Sequence, residues 1–461
     1  MLMRNGFLCL ILLSVAGCTV GPDYKRPTVE TPSAYKELKG WQPAEPQDQL
    51  PRGNWWEIYR DTTLNSLVSQ VAVSNQNVLA AAAQYRQATA LLDAALAEFW
   101  PNVSAGVSSI SSHAASTQFA INGVNTFDNL SLNASWEMDV WGRIRRLVEA
   151  NRASAEASAA DLRAAVLSIQ TTLVESYMQL RVVDQQIALL QRTVAAYRTS
   201  LQITQNLYEG GTVSNLDVAL ANTQLKSTQA QLIDLGVQRA QLEHAVALLI
   251  GKAPADFSLA ANNSLPALPI IPLSLPSALL ERRPDIAAAE RRVAAANAQI
   301  GVAQAAFFPA LILNAAGGYQ GASFANLLSA PNQFWSFGPA LAGTLFDGGL
   351  LSAQKAQAVA VYDSSVANYR QTVLTGFQEV EDNLAALRIL KQEIEVQQAA
   401  TESAQTALLI TNNQYQAGTV SYLSVMTVQV TSLNADSSEL NMVGRDLVAS
   451  VGLVTALGGS W

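Results

Sequence analysis

Between its ends, the stretch Gly142–Tyr208 contains no Pro and no Gly. Nothing in it removes a backbone donor or loosens the chain, so nothing stops a helix once it has started. At 1.5 Å per residue such a helix is roughly 100 Å long. Leu350–Tyr415, with only Gly376 inside, predicts a second rod of similar length. Helices of compact globules average about 11–12 residues, so two such rods exclude an ordinary globule. Apolar Leu162, Val166, Ile169, Leu173 and Leu180 recur at steps of three or four with one jump of seven. The opposite faces carry Gln, Thr, Ser and Asn more than charge, so one side packs and the other meets water.

The rods belong to a duplicated unit. Phe99-Trp100-Pro101 recurs as Phe307-Phe308-Pro309, an offset of 307 − 99 = 208. Tyr208-Glu209-Gly210-Gly211-Thr212-Val213-Ser214 recurs as Tyr415-Gln416-Ala417-Gly418-Thr419-Val420-Ser421, and Leu249-Ile250-Gly251 as Ala456-Leu457-Gly458, both offset by 207. A constant offset marks a repeat rather than chance. Each unit predicts a helix ending at aromatic-Pro, two strands, and two long helices joined at a Gly turn. The helices expected are Asp61–Glu98, Gly142–Tyr208, Ser214–Ile250, Ser277–Ala306, Leu350–Tyr415 and Ser421–Leu457. The first repeat spans 61–253 and the second 277–461. Residues 254–276, Pro- and Asn-rich, predict an extended linker. Val20–Gln49, rich in Pro and polar residues, predicts a surface wrap without regular structure, within an extended N-terminal segment 18–60.

The strands, expected at about 102–111, 127–139, 310–320 and 334–346, alternate. Leu130 to Asp139 switches between apolar and polar without a break, and Trp335, Phe337, Pro339, Leu341 and Leu345 share one face. Strands of about ten residues with one apolar and one polar face suit a membrane barrel. A half-buried strand of a soluble sandwich has the same period, so the pattern alone leaves both open. Four strands cannot close a barrel, and an open edge facing lipid leaves N–H and C=O groups without partners. If the strands lie in a membrane, the chain must oligomerise; three copies would supply twelve strands. His113–Asn125 and Gln320–Asn332 would be the outer loops.

Composition and termini agree with export. Hydrophobic residues make up 49% but are often Ala, charged residues only 14%, and the net charge of −8 gives nucleic acid no basic surface to bind. Met1–Val15 carries Arg4 and then an apolar run too short to span a bilayer. Val15-Ala16-Gly17-Cys18 completes a signal peptide, residues 1–17, with Cys18 as an acylated first residue. The alternative is an ordinary cleaved signal with a chance cysteine. Thr19, in place of Asp, implies outer-membrane delivery by lipoprotein sorting rules. The only cysteines are Cys9 and Cys18, so the mature chain has no intrachain disulfide.

An enzyme is poorly supported. The two histidines are His113, in a loop, and His244, on a helix; no phosphate-loop, G-x-S-x-G or paired His-Glu motif occurs, and no catalytic or metal site is expected. Glu137 and Asp139, placed on one strand face, could suggest a carboxylate pair; lumen-facing polarity explains them better. The main rival is a periplasmic coiled-coil adaptor or interaction lipoprotein. An adaptor would carry one helical hairpin between small β-domains, whereas this chain has two, each preceded by strand pairs.

Several motifs together resemble the outer-membrane factor (TolC-like) family, most closely its OprM/NodT-type lipoprotein branch. They are Cys18-Thr-Val-Gly-Pro-Asp-Tyr-Lys-Arg-Pro27, Asn54-Trp55-Trp56-Glu57, Leu280-Glu-Arg-Arg-Pro-Asp-Ile286, Ala295-Ala-Asn-Ala-Gln-Ile-Gly301, Phe307-Phe-Pro309 and the repeated Tyr-x-x-Gly-Thr-Val-Ser turn. The resemblance covers essentially the whole mature chain. It implies a mainly α fold with a membrane β-barrel: a homotrimer with a twelve-stranded barrel, a long periplasmic α-barrel and an equatorial collar. The function it implies is the passive exit duct of a tripartite efflux or secretion system, held in the outer membrane by lipid on Cys18 and needing no other cofactor. Its partners would be outer-membrane lipid, a periplasmic adaptor and an inner-membrane transporter of RND type. The adaptor-contacting tips would be Tyr208, Gly210, Gly211, Thr212, Val213 and Ser214, with Tyr415, Gly418, Thr419, Val420 and Ser421. In relatives a leucine and, one turn later, an acidic residue narrow the periplasmic end; the matching positions are Leu423 and Thr427. Thr427 departs from the acidic pattern. Leu216 is the repeat partner of Leu423, and Asp217 could supply the missing charge or simply start its helix, where the dipole favours an acid.

Overall fold

A computed structural model of the chain describes residues 19–37, 54–113, 124–269, 271 and 282–459. The expected signal peptide, Cys18 and the expected helix start at Ser277 lie outside the described residues, as does much of the first outer loop.

The first repeat folds as α1 (Thr62–Ser74), α2 (Gln76–Ala97), β1 (Asn102–His113), β2 (Val124–Met138), α3 (Arg143–Glu209) and α4 (Asn215–Leu249). The second gives α5 (Pro284–Ala305), β3 (Ala310–Gly321), β4 (Gln333–Ala342), α6 (Leu350–Gln416) and α7 (Tyr422–Ala456). The duplication is kept to the residue: α3 and α6 are both 67 residues long, α4 and α7 both 35. The chain divides into two compact units, one from Met1–Thr28, Gln84–Ala159 and Ala288–Arg370, the other from Val29–Ala83, Ala160–Ala287 and Gln371–Trp461.

Two expected boundaries are corrected. The helix expected over Asp61–Glu98 is broken at Asn75, which ends α1 and starts α2. Its Oδ1 accepts from the N–H groups of Asn77 and Val78, while its Nδ2 donates to the Leu249 carbonyl at 2.8 Å. An Asn that satisfies both orphan donors and a distant acceptor favours the break over helix continuation. In the second repeat the helix from Pro284 runs to Ala305. Arg283, which the following proline disfavours from helical geometry, interrupts the helix between Arg282 and Pro284, and the expected start at Ser277 is outside the described residues. The last strand, expected to reach residue 346, ends at Ala342. Ala342 pairs with Ala310, the first residue of β3, and Leu345 and Phe346 beyond it are 102% and 90% exposed. The outer loop of the second repeat is not featureless either; it carries two short 3₁₀ turns, Phe324–Asn326 and Ala330–Asn332.

The first unit contains one antiparallel sheet in the order β1-β2-β3-β4. Trp136 and Trp141 fasten its lower end. Their indole N–H groups donate to the carbonyls of Phe99 and Pro309, each at 2.9 Å, and Trp141 stacks on Phe308 at 4.7 Å. The repeated aromatic-Pro motif is therefore where each helix hands over to its strand.

In the second unit an ionic network holds the linker. Asp184 accepts from Arg181 and Arg239, both at 2.8 Å, and from the N–H of Asn262 at 3.1 Å. Arg181 and Arg239 in turn reach the carbonyls of Ala260 and Leu259, and Glu243 receives Arg239 and the Leu259 N–H. The segment after Pro254 opens with a 3₁₀ turn and has no other regular structure as far as Pro269. Arg283 performs a similar task, joining Asp285, Glu379 and the Ala456 carbonyl. Trp55, Trp56 and Tyr59 are buried, and the Tyr59 hydroxyl bonds Ser450 at 2.9 Å.

Candidate functional site

Register decides what the sheet can do. Residues opposite one another in adjacent strands share a face. Val103, Ala105 and Val107 stand opposite Ala134, Leu132 and Leu130. Trp136, Ala134, Leu132 and Leu130 stand opposite Leu313, Ala315, Gly317 and Tyr319, which stand opposite Pro339, Phe337, Trp335 and Gln333. Up to Tyr319 this face carries no polar residue except that edge glutamine. Val103, Val107, Leu132, Trp335, Phe337 and Leu341 on it are each more than 60% exposed. The other face carries Ser104, Asn129, Ser131, Asn133, Ser135, Asn314 and Ser336. From Leu130 to Met138 the apolar band runs about 26 Å along β2, comparable with the ~25 Å band of outer-membrane barrels. Beyond Leu130 the same face turns polar: Ser109 donates to Asp128 at 2.5 Å, and Ser111 meets Thr126 at 3.0 Å. Among the described residues no helix is long and apolar enough to cross a membrane. Among the described surfaces, the apolar face of the sheet is the one suited to meet lipid.

The N-terminal segment is clamped beside the foot of this sheet. Arg146, 4% exposed, donates to the Val20 and Gly21 carbonyls and pairs with Asp23 and Glu149 at 2.8 Å. Asn297 donates to the Pro22 carbonyl at 3.0 Å, and the Tyr24 hydroxyl to Glu290. Gly21, at φ +104°, lies so close to Gly301 that an added Cβ would sit 2.5 Å from its Cα. The motifs around Gly21 and Gly301 are thus the two halves of one contact. Val20 donates to the Trp141 carbonyl at 3.0 Å, which holds Thr19 and Val20 at the aromatic foot of the sheet.

Each tip turn is built from the same bonds. Gly211 (φ +73°) and Gly418 (φ +74°) take the left-handed conformation that ends α3 and α6. The Thr212 N–H reaches the Leu207 carbonyl at 2.9 Å and the Gly211 N–H that of Tyr208; Thr419 and Gly418 repeat this on Gln414 and Tyr415. These are the two bonds of a Schellman ending. Both threonine hydroxyls donate to the same carbonyl as their own N–H, at 2.7 and 2.9 Å. The Gly-Thr pair is therefore explained by chain reversal alone. The next helix starts differently in the two repeats. Ser214 and Asp217 form a capping box, whereas Ser421 faces only Ser424, hydroxyl to hydroxyl at 3.4 Å.

Tyr415 ties the tips together. Its hydroxyl donates to Thr204 of α3 at 3.1 Å, and its ring meets Tyr422 edge-on at 5.5 Å. Ala221, Val425, Leu207 and Val420 pack around the pair, while the Tyr197 hydroxyl donates to the Gln429 carbonyl of α7. Burial pushes the hydroxyl pKa values of Tyr415 and Tyr422 above the ordinary tyrosine value.

The four gate candidates separate. Leu423 and Thr427 lie one turn apart on the exposed side of α7, and the Thr427 hydroxyl folds back onto the Leu423 carbonyl at 2.9 Å. Leu423 and Leu216 are 55% and 66% exposed. The Asp217 carboxylate is engaged by the Ser214 N–H and hydroxyl, the helix-start role that its type also suits. Glu137 and Asp139 are corrected as a face-sharing pair. The strand ends at Met138, Glu137 pairs with Arg143, and Asp139 caps α3 by accepting from the N–H groups of Ile144 and Arg145. An acid at a helix start is stabilised by its free N–H groups.

Both repeats match a known family. The family model described as "Outer membrane efflux protein" covers residues 67–252 and 275–459. The chain belongs to the outer membrane efflux protein family. Among curated relatives, the toluene efflux pump outer membrane protein TtgF of Pseudomonas putida is 29% identical over 469 residues, covering 100% of this chain and 98% of the relative. The cation efflux system protein CusC of Escherichia coli O157:H7 is 28% identical over 455 residues, 98% of this chain and 97% of the relative. The solved outer-membrane channel OprN superposes with a TM-score of 0.89 at 29% identity, covering 96% of this chain and 100% of that one. The expected TolC-like fold, outer-membrane location and role as an efflux channel component are thereby borne out.

Proposed function

We propose that three copies of this efflux protein close a twelve-stranded barrel and act as a passive exit duct. The tips Tyr208–Ser214 and Tyr415–Ser421 would dock a periplasmic adaptor, and through it an inner-membrane transporter of RND type. One observation carries the reading: a four-stranded sheet, apolar across its lipid-side face, has β1 and β4 as edges without a partner among the described residues. In hydrocarbon those edges must pair with further copies. Relatives of nearly equal similarity are named for toluene and for cations. That supports a duct that leaves substrate choice to the pump. The strap at Val20 supports lipid on Cys18, because it delivers the residue after that cysteine to the aromatic foot of the sheet.

Native mass spectrometry of protein extracted from outer membranes in detergent tests this. Trimers of acylated chains beginning at Cys18 are expected; a soluble, unlipidated monomer would remove both the barrel and the anchor. The gate rests on Leu423, with Leu216 as its counterpart, Thr427 contributing no charge and Asp217 held in its cap. Leu423→Ala is expected to raise single-channel conductance in planar bilayers, and an unchanged value counts against that assignment.

A further inference from the structure

In the second unit, α3 and α6 flank the middle of α7 and leave a groove of about 610 Å³ between them. Two glycines keep the floor of the groove bare. An added Cβ would stand 3.0 Å from the Val182 side chain of α3 at Gly444, and 2.5 Å from the Asn383 Oδ1 of α6 at Gly452. Glycine is unfavourable inside a helix, and at these positions its missing side chain gives the groove its depth. Val182, Val183, Leu390 and Val448 line the middle. At one end the amides of Gln186 and Asn441 close on each other at 2.7 Å.

The other end is built from acceptors. Glu175 stands one turn along α3 from Thr171, which bonds Thr455 of α7, so it lies beside Gly452. It is half-buried, and among the described residues its carboxylate has no hydrogen-bond or ion-pair partner. Burial holds its carboxyl above the ordinary glutamate range. Asn383 donates its amide N–H to the Glu379 carbonyl at 2.7 Å, and its Oδ1 lies over Gly452. Arg445 lines the groove seven positions from Gly452, roughly 10 Å along α7, and pairs there with Glu393 at 3.8 Å. A carboxylate and an amide oxygen without donors, next to an apolar floor, suit a charged donor on a hydrocarbon body. Among the described residues no three acids, histidines or cysteines converge to hold a metal ion.

We propose that this groove binds protonated organic amines with an apolar body, the ammonium donating to Glu175 and to the Asn383 Oδ1. By helical geometry the groove residues of α3 lie opposite Arg181 and Asp184, which hold the linker. Three linkers inside a duct would obstruct its bore, so the groove faces the passage; this placement rests on the assembly proposed above. A site on such a wall must release what it takes, and a single carboxylate in an open groove gives that reversible hold.

The test is binding of naphthylmethylamine to the detergent-extracted full chain, read by fluorescence in equilibrium dialysis against a detergent-only blank. Neutral naphthalenemethanol and anionic naphthalenesulfonate are the comparison probes. The amine should bind more tightly than either. Glu175→Gln should weaken the amine alone by about tenfold, the loss of one charge-assisted contact. Gln179→Trp, at an exposed lining residue, should fill the groove and weaken the amine and the alcohol together. Equal affinity of the parent and Glu175→Gln for the amine overturns the site. Native mass spectrometry of the same samples separates the site from the assembly. Glu175-dependent binding by a monomer keeps the site and removes the duct. Trimers that bind amine, alcohol and sulfonate alike keep the duct and remove the site.

Discussion

Replacing Asp184 by alanine is expected to destabilise the chain by about 3–5 kcal/mol, as when one partner of a buried ion pair is removed. The carboxylate is 1% exposed and the Arg181 side chain 2%. Both oxygens are engaged: Oδ1 by Arg239, Oδ2 by Arg181 and by the Asn262 N–H. Alanine would leave Arg181 buried and charged, with only the Ala260 carbonyl and the Tyr177 ring beside it. It would also release the linker backbone at Asn262. A shifted midpoint in denaturant titrations, with early proteolytic cleavage near residues 259–263, is the expected readout. Asp184→Asn keeps the volume and one acceptor, so it should lose less. Equal behaviour of both variants and the parent would mean that the network is not what fixes the linker.

This network was invisible in the sequence for a definite reason. Asp184, Arg239 and Asn262 are brought together by a helical hairpin and a return of the chain, and no local spacing encodes that. The same holds for Arg146, whose partners Val20, Gly21 and Asp23 lie more than 120 positions away. By contrast, features set by local chemistry were legible. The long helices followed from the absence of Pro and near-absence of Gly, and the tip turns from Gly and Thr at fixed offsets. The sheet faces followed from period-two alternation. Errors arose where a tertiary partner decides a boundary. Asn75 breaks a helix in part because the Leu249 carbonyl is waiting for its amide. β4 stops at Ala342 because β3 begins at Ala310, although the apolar alternation runs on to Leu345. The motifs that carried the family resemblance were readable as a pattern, but their reasons were not. Only the fold reveals that the glycines at 21 and 301 are one contact, or that Arg283 joins a helix start to a helix end.

Placing arginine at Leu132 is expected to abolish assembly, whereas arginine at the next residue, Asn133, is expected to be tolerated. Leu132 is 61% exposed on the apolar face, inside the band that runs from Leu130 to Met138. A charge costs about 2–4 kcal/mol at the midplane of an outer-membrane barrel and less toward the band's edge, and every copy in the assembly would carry the cost. Asn133 points to the opposite face among Ser131, Ser135 and Asn314, where a duct would hold water and a long cation remains solvated. Adjacent substitutions of the same residue type thus differ in one variable, the face of the strand. The readout is the yield of heat-modifiable oligomer in outer-membrane fractions. Loss for Leu132→Arg and retention for Asn133→Arg fixes which side meets lipid. The reverse result would place the apolar face inward and remove the physical basis for a membrane barrel in this sheet. Because β-strand side chains alternate without exception along this stretch, no repacking of the strand can move the charge to the other face short of a one-residue slip. Such a slip would expose Leu130, Leu132, Ala134 and Trp136 to water together, at a cost larger than that of the arginine itself.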